Sequence, residues 1–167
     1  MAIVVETGSI VTGANSYVTR SDYLAYALSL GITISDVAAA DVQLIKAAQF
    51  IDSKESNLKG SRVDRDQPLA FPRHAVVIDG FEWLYTEIPR QVILCQMALA
   101  LDINAGIDLY NPTPILTKRR ARVDGAVEVE YFGTDGAVKL SRDSTSTALL
   151  NCLMVRSGLY SVALVRA

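Results

Sequence analysis

Little in this sequence is suited to chemistry. It holds one histidine, His74, and two cysteines, Cys95 and Cys152, each inside an apolar run. A histidine zinc site needs several nitrogen or sulfur ligands at close spacing, and the chain has no C-x-x-C pair. Two isolated cysteines cannot build a disulfide scaffold, so a reducing compartment is expected. Aromatic residues make up 7% of the chain, few for a protein that stacks bases on aromatic platforms. Neither sign of charge dominates. Sixteen Lys and Arg against eighteen Asp and Glu give a net charge of −2, which speaks against a strongly basic nucleic-acid module. The longest apolar stretch, Val92 to Leu101, is broken by Gln96 and falls short of the roughly 20 residues that cross a bilayer, so no membrane partner is expected. Met1-Ala2-Ile3-Val4-Val5-Glu6 carries no basic leader, and an intracellular setting is expected.

What is present is a globular composition: 50% hydrophobic and 20% charged over 167 residues, enough for one domain with a core. A short β-like run, Ile3 to Val5, precedes a loop. Thr19 and Asp22 make a capping pair for a first helix that stops at Gly31, with Tyr23, Ala27 and Leu30 as its stripe and Leu24 and Leu28 widening it. A second helix is predicted from about Ala39 or Ala40 to Ser53. Leu44, Ala47, Ala48 and Ile51 form its core face, and Gln43 and Lys46 point outward. A polar loop, Lys59 to Pro68, leads to Leu69-Ala70-Phe71-Pro72-Arg73, where two prolines favour an extended segment that Phe71 anchors. The third helix, expected to be the longest, opens at Pro89 and ends at Gly106, with Val92, Cys95, Gln96, Leu99 and Ile103 on one stripe. Being apolar around most of its circumference, it should be buried on more than one side. Val127 to Phe132 alternates as a strand, with Ala137 to Leu140 as its hairpin partner across Gly133–Gly136. A short fourth helix is predicted from Thr147 to Val155, capped by Ser144 or Thr145. The fold class is therefore α+β and mainly α: a bundle of three to four helices, a β-hairpin and extended terminal arms, in a single domain over 1–167 with 159–166 as a C-terminal arm.

Candidate chemistry is sparse. Gly8 and Gly13 have phosphate-loop spacing, but Ala14 and Asn15 follow where an amine and a hydroxyl would be needed. Glu128 and Glu130 share one strand face and read more simply as its solvated side. His74 reads as a loop residue beside Arg73. No catalytic, metal-binding or cofactor residue is assigned, and the chain is not expected to be an enzyme. Lys118, Arg119, Arg120 and Arg122 form the one basic cluster, open to three readings: phosphate contact, salt bridges between chains, or a solvated loop. Arg62, Arg65 and Arg73 form a looser set, and Asp64 and Asp66 nearly neutralise its loop. In the C-terminal arm, Leu159, Tyr160, Val162, Leu164 and Arg166 are candidate contacts to a partner or a neighbouring copy, with apolar residues on both strand faces.

Several stretches carry a resemblance: Ala14-Asn15-Ser16-Tyr17-Val18, Ala47 to Asp52 followed by Leu58-Lys59-Gly60-Ser61-Arg62, Gln67-Pro68-Leu69-Ala70-Phe71-Pro72-Arg73, Ile88-Pro89 before an Ala-rich helix, and Val127 to Tyr131. Together they resemble a phage and prophage family labelled DnaT-like single-stranded-DNA-binding protein, and in arrangement they are similar to the head-tail connectors of tailed phages. The connector likeness implies a structural virion protein located in the phage neck and assembled in the host cytoplasm. Its homo-oligomeric ring, usually of twelve copies, would sit below the portal, extend the DNA channel for passing double-stranded DNA and dock a tail terminator or stopper. Low aromatic content and slight acidity favour that reading over the alternative, a DnaT-like single-stranded-DNA-binding accessory protein. Under it, Phe71, Pro72 and Arg73 are structural anchors.

Overall fold

The computed structural model describes residues 2–110 and 145–155. Among these lie four α-helices, α1 (Arg20–Ser29), α2 (Val37–Asp52), α3 (Arg90–Asn104) and α4 (Thr145–Leu153). Two small antiparallel sheets pair β1 (Ser61–Arg62) with β2 (Arg73–His74) and β3 (Val76–Ile78) with β4 (Phe81–Trp83). The class is α+β and mainly helical. The hairpin predicted at Val127–Leu140 lies outside the described residues. The hairpin that is described, β3–β4, falls at residues for which no strand is predicted from sequence.

The helices form where capping and spacing dictate. Thr19 accepts the Asp22 backbone N–H at 3.1 Å and its hydroxyl donates to the Asp22 carboxylate at 2.6 Å, a local variant of the capping box. Helix α2 starts earlier than predicted because Asp36 accepts from Ala38 N–H and Ala39 N–H, at 2.9 and 3.1 Å. With 16 residues it is longer than α3, which has 15, so the ranking expected from sequence is reversed.

Helix α3 lies between α2 and α4 and also touches α1. That placement accounts for its apolar circumference: Val92, Cys95, Met97, Ala98, Leu99 and Ala100 are all buried. Leu44, Ala47, Ala48 and Ile51 of α2 are fully buried against it. The α1 stripe is narrower than predicted. Tyr23 and Ala27 are buried, whereas Leu28 and Leu30 at the end of the helix are exposed. Gln43, expected to face outward, is buried. It accepts from Tyr23 Oη at 2.8 Å and donates to Asn104 Oδ1 at 3.0 Å, because α1 crosses α2 at that turn.

Two buried glutamines organise the backbone, Gln96 between segments distant in sequence and Gln67 within its own loop. Gln96 of α3 accepts the Tyr17 backbone N–H at 2.9 Å and donates to Ser16 Oγ at 2.8 Å and to the Leu44 carbonyl at 2.9 Å. It thereby ties the N-terminal segment to α2 and α3. The β-like run Ile3–Val5 contributes only one parallel bridge, Val5 to Ser16. Gln67 accepts from Val63 N–H and Asp64 N–H, and its amide nitrogen reaches the Leu69, Ala70 and Pro72 carbonyls at 2.8, 3.2 and 3.1 Å.

Candidate nucleic-acid interface

Phe71, Pro72 and Arg73 are interior residues. Phe71 is fully buried with its ring edge-on to Tyr17, and the Phe71–Pro72 peptide is cis. Arg73, 6% exposed, donates to the Lys59 and Gly60 carbonyls at 2.9 and 2.8 Å and pairs with Glu55 at 3.3 Å. Arg62 grips both Glu55 oxygens, Nε on Oε1 and Nη2 on Oε2, so the two arginines share Oε1; these cations hold the Glu55 carboxyl below its ordinary range, Arg62 being the main cause. The Tyr17 hydroxyl donates to Asp52 Oδ1 at 3.1 Å and accepts from Phe71 N–H at 3.1 Å; Ala70 N–H donates to the same Asp52 oxygen at 2.9 Å. Burial raises both the Tyr17 hydroxyl and the Asp52 carboxyl above their ordinary values. The Gln67–Arg73 run, the most distinctive stretch of the sequence, is thus spent on its own backbone and on α2. Neither Arg62 nor Arg73 is free to meet a phosphate.

Other candidates are closed as well. Burial pushes the Cys95 thiol up to about 12, which leaves it an inert packing group. The groove between α1, α3 and α4, lined by Tyr26, Leu30, Leu101 and Asp102 among others, measures 140 Å³ and is small for a metabolite. The amides of the Gly8–Gly13 loop do converge on an anion, but the anion is the protein's own Glu6 carboxylate. Glu128 and Glu130, the cluster Lys118, Arg119, Arg120 and Arg122, and the arm residues Leu159, Tyr160, Val162, Leu164 and Arg166 lie outside the described residues.

What the fold presents outward is the β3–β4 hairpin. Asp79 and Gly80, at φ +53° and +84°, make the tight turn. Val76 faces Trp83, Val77 faces Glu82 and Ile78 faces Phe81. Val76 and Ile78 are buried and fasten one face of the hairpin to the core. On that same face Trp83 is half-buried, while Phe81, next to the turn, overhangs the core and is 75% exposed. Beyond the strand, Tyr85 is 49% exposed and its ring rests on that of His74, with centroids 4.8 Å apart. Leu84 and Val77 are exposed beside them. Residues 75–89 contain no Lys or Arg, and Asp79, Glu82 and Glu87 are exposed among them. The hairpin therefore offers ring faces and carboxylates to a ligand, and no cation.

None of these three aromatics is a candidate on sequence alone, although a signal for them exists. Asp79-Gly80 between the apolar triplet Val76-Val77-Ile78 and an alternating run is a strong short-range hairpin mark, and Phe81-Glu82-Trp83-Leu84-Tyr85 alternates aromatics at every second residue. The low aromatic percentage averages a dense local patch over the whole chain.

The fold and site define a small, mainly helical α+β domain that displays an aromatic hairpin. A family model described as "Putative DnaT-like ssDNA binding protein" matches residues 1–167, and the chain belongs to that family. No curated protein and no solved structure matches. This finding corrects the connector reading. The matched family is described by single-stranded-DNA binding, and nothing in the match supports a virion or neck role, a dodecameric ring, portal or tail partners, or a channel for double-stranded DNA. Composition favoured the connector likeness over the alternative, and a whole-chain percentage does not register the local aromatic patch at Phe81–Tyr85. Among the described residues no helix is long and apolar enough to cross a membrane.

Proposed function

We propose that this protein is an accessory factor that binds single-stranded DNA without performing chemistry on it, and that it does so in the host cytoplasm. The observation that carries the proposal is the aromatic set Phe81, Trp83 and Tyr85, exposed at Phe81 and Tyr85 and half-buried at Trp83, on and just beyond one hairpin seated in the core, in a chain whose family is described by that activity. Bases in a single strand have free faces, and each stacked base contributes about 1–3 kcal/mol on an aromatic side chain. The rigid base of the hairpin, Val76 and Ile78 in the core, keeps the rings in place before DNA arrives. Paired bases in a duplex do not offer those faces, so the preference is for single strands.

The hairpin supplies no phosphate contact, so the electrostatic part of binding falls to other residues. We assign it to Lys118, Arg119, Arg120 and Arg122, the one dense cationic run in the sequence. The test is fluorescence anisotropy of a labelled oligonucleotide at several salt concentrations. Phe81→Ala and Tyr85→Ala should weaken binding at every salt concentration and leave the salt slope unchanged. Charge reversal of the four basic residues should flatten the slope, by about 0.7 for each phosphate that is no longer neutralised. Aromatic variants that bind as tightly as the wild type would reject the hairpin as the interface.

A further inference from the structure

The Glu6 side chain is 2% exposed, and no cation pairs with it among the described residues. Its charge is met instead by backbone amides. Oε1 accepts from Gly8 N–H at 2.8 Å and Ile10 N–H at 3.0 Å, and Oε2 accepts from Val11 N–H at 2.8 Å. Successive amides turned toward one point form an anion-binding concavity. The loop adopts that shape against its own preference, because Ile10, a β-branched residue, sits at φ +60°. Without the carboxylate, three N–H groups would point at one another's positive ends around an unfavourable backbone turn.

The loop also abuts the aromatic segment. Gly8 lies at φ +102°, and a Cβ built on it would fall 2.1 Å from the Thr86 carbonyl oxygen and 3.1 Å from Glu87 N. Thr86 directly follows Tyr85, and Glu87 N–H closes a turn onto the Leu84 carbonyl at 3.0 Å. Backbone therefore meets backbone at the exit of the hairpin, with no side chain between them to absorb a shift.

We propose that Glu6 is a positioning residue for the aromatic surface: an internal anion that locks the Gly8 loop into a stop against Thr86 and so fixes Tyr85 and the strand leading to it. The assignment rests on the hairpin being the DNA-binding surface. Its physical core, the coupling from Glu6 to the hairpin, can be measured without DNA. Trp83 is the chain's only tryptophan and lies two residues from Tyr85, so its emission and acrylamide quenching report on the hairpin.

The experiment compares wild type, Glu6→Ala and Gly8→Ala. Glu6→Ala should leave the helical circular dichroism intact, shift Trp83 emission to the red and weaken oligonucleotide binding roughly tenfold, the scale of one degraded stacking contact. Added formate, against chloride at equal ionic strength, should refill the vacated carboxylate position and reverse both changes, with no effect on the wild type. Gly8→Ala retains Glu6 and pushes directly on Thr86, so it should reproduce the Trp83 shift and resist formate. Unchanged Trp83 emission in a folded Glu6→Ala would overturn the proposal, as would a shift that formate does not reverse. If Glu6→Ala does not fold, Gly8→Ala decides: a Trp83 shift supports the coupling and its absence rejects it. A wild type that binds no single-stranded DNA would sink the function proposed above, while the Trp83 readout would still decide the role of Glu6.

Discussion

Replacing Gln96 by Met should destabilise the protein by about 2–3 kcal/mol, although the new side chain is of similar length and more apolar. The figure follows from which partners can recover. Ser16 Oγ keeps its bonds to the Val18 carbonyl and N–H, at 2.7 and 3.1 Å. Leu44 lies mid-helix, and its carbonyl keeps its helical donor. Tyr17 N–H has no substitute: it is buried, and Gln96 Oε1 is its acceptor. An unsatisfied buried donor costs about 1–3 kcal/mol, and removing the two bonds from the amide nitrogen adds to that. The apolar gain from Met offsets only part of the sum. Urea denaturation followed by circular dichroism should show a lower midpoint with an unchanged slope. Ser16→Ala in the Gln96→Met background should cost less than it does in the wild type, because the two side chains share a bond. A change below about half a kcal/mol would mean that the N-terminal segment detaches from α3 freely and that the glutamine does not hold it.

Other expectations follow from the same packing. Leu99→Ala, at a site 3% exposed between α2 and α4, should cost about 2–5 kcal/mol, and Val42→Ala, at a site 47% exposed, less than about half a kcal/mol, both read from denaturation midpoints. Asp52 has its carboxyl raised by burial, so the folded state holds its proton more tightly than the unfolded chain does, and this group's contribution to stability falls as pH rises through the raised value. Asp52→Asn should remove that fall while keeping both bonds, since Tyr17 and Ala70 share Oδ1; a pH series of denaturation midpoints unaffected by the change would contradict this. Glu55 has the opposite sign. Its depressed carboxyl contributes stability that is present above the ordinary value of 4.5 and is lost as pH falls through the folded value, and Glu55→Gln should remove this group's share of the acid-side loss in the same series, leaving that of Asp41, which Arg20 holds low.

The helices are legible in the sequence because their signals are local. Thr19, Asp22 and Gly31 bracket α1, and the Leu44–Ile51 face of α2 and the Val92–Leu99 face of α3 follow from 3.6-residue periodicity alone. Boundaries slip where a cap lies outside the apolar pattern, as with Asp36. Gln43 is misplaced by periodicity because whether a polar residue is buried depends on what crosses it, here Tyr23 of α1 and Asn104 of α3. The role of Arg73 is not legible, since it depends on the Lys59 and Gly60 carbonyls brought near by the fold, and that of Gln67 depends on how the chain from Val63 to Pro72 turns back around it. The hairpin is legible in Asp79-Gly80 and the Phe81–Tyr85 alternation but is obscured by whole-chain composition. Its exposure is not, because only the placement of Val76 and Ile78 in the core shows that Phe81 overhangs it.

The central claim, that the aromatic hairpin receives single-stranded DNA, is tested most directly by the emission of Trp83, the one tryptophan in the chain. Titrating the protein with an unlabelled single-stranded oligonucleotide at physiological salt should quench that emission saturably. Phe81→Ala should weaken the apparent affinity by about 5- to 150-fold, the equivalent of one stacked base. The matched duplex should quench far less. Binding detected by anisotropy with Trp83 emission unmoved, or equal quenching by the duplex, would contradict the account.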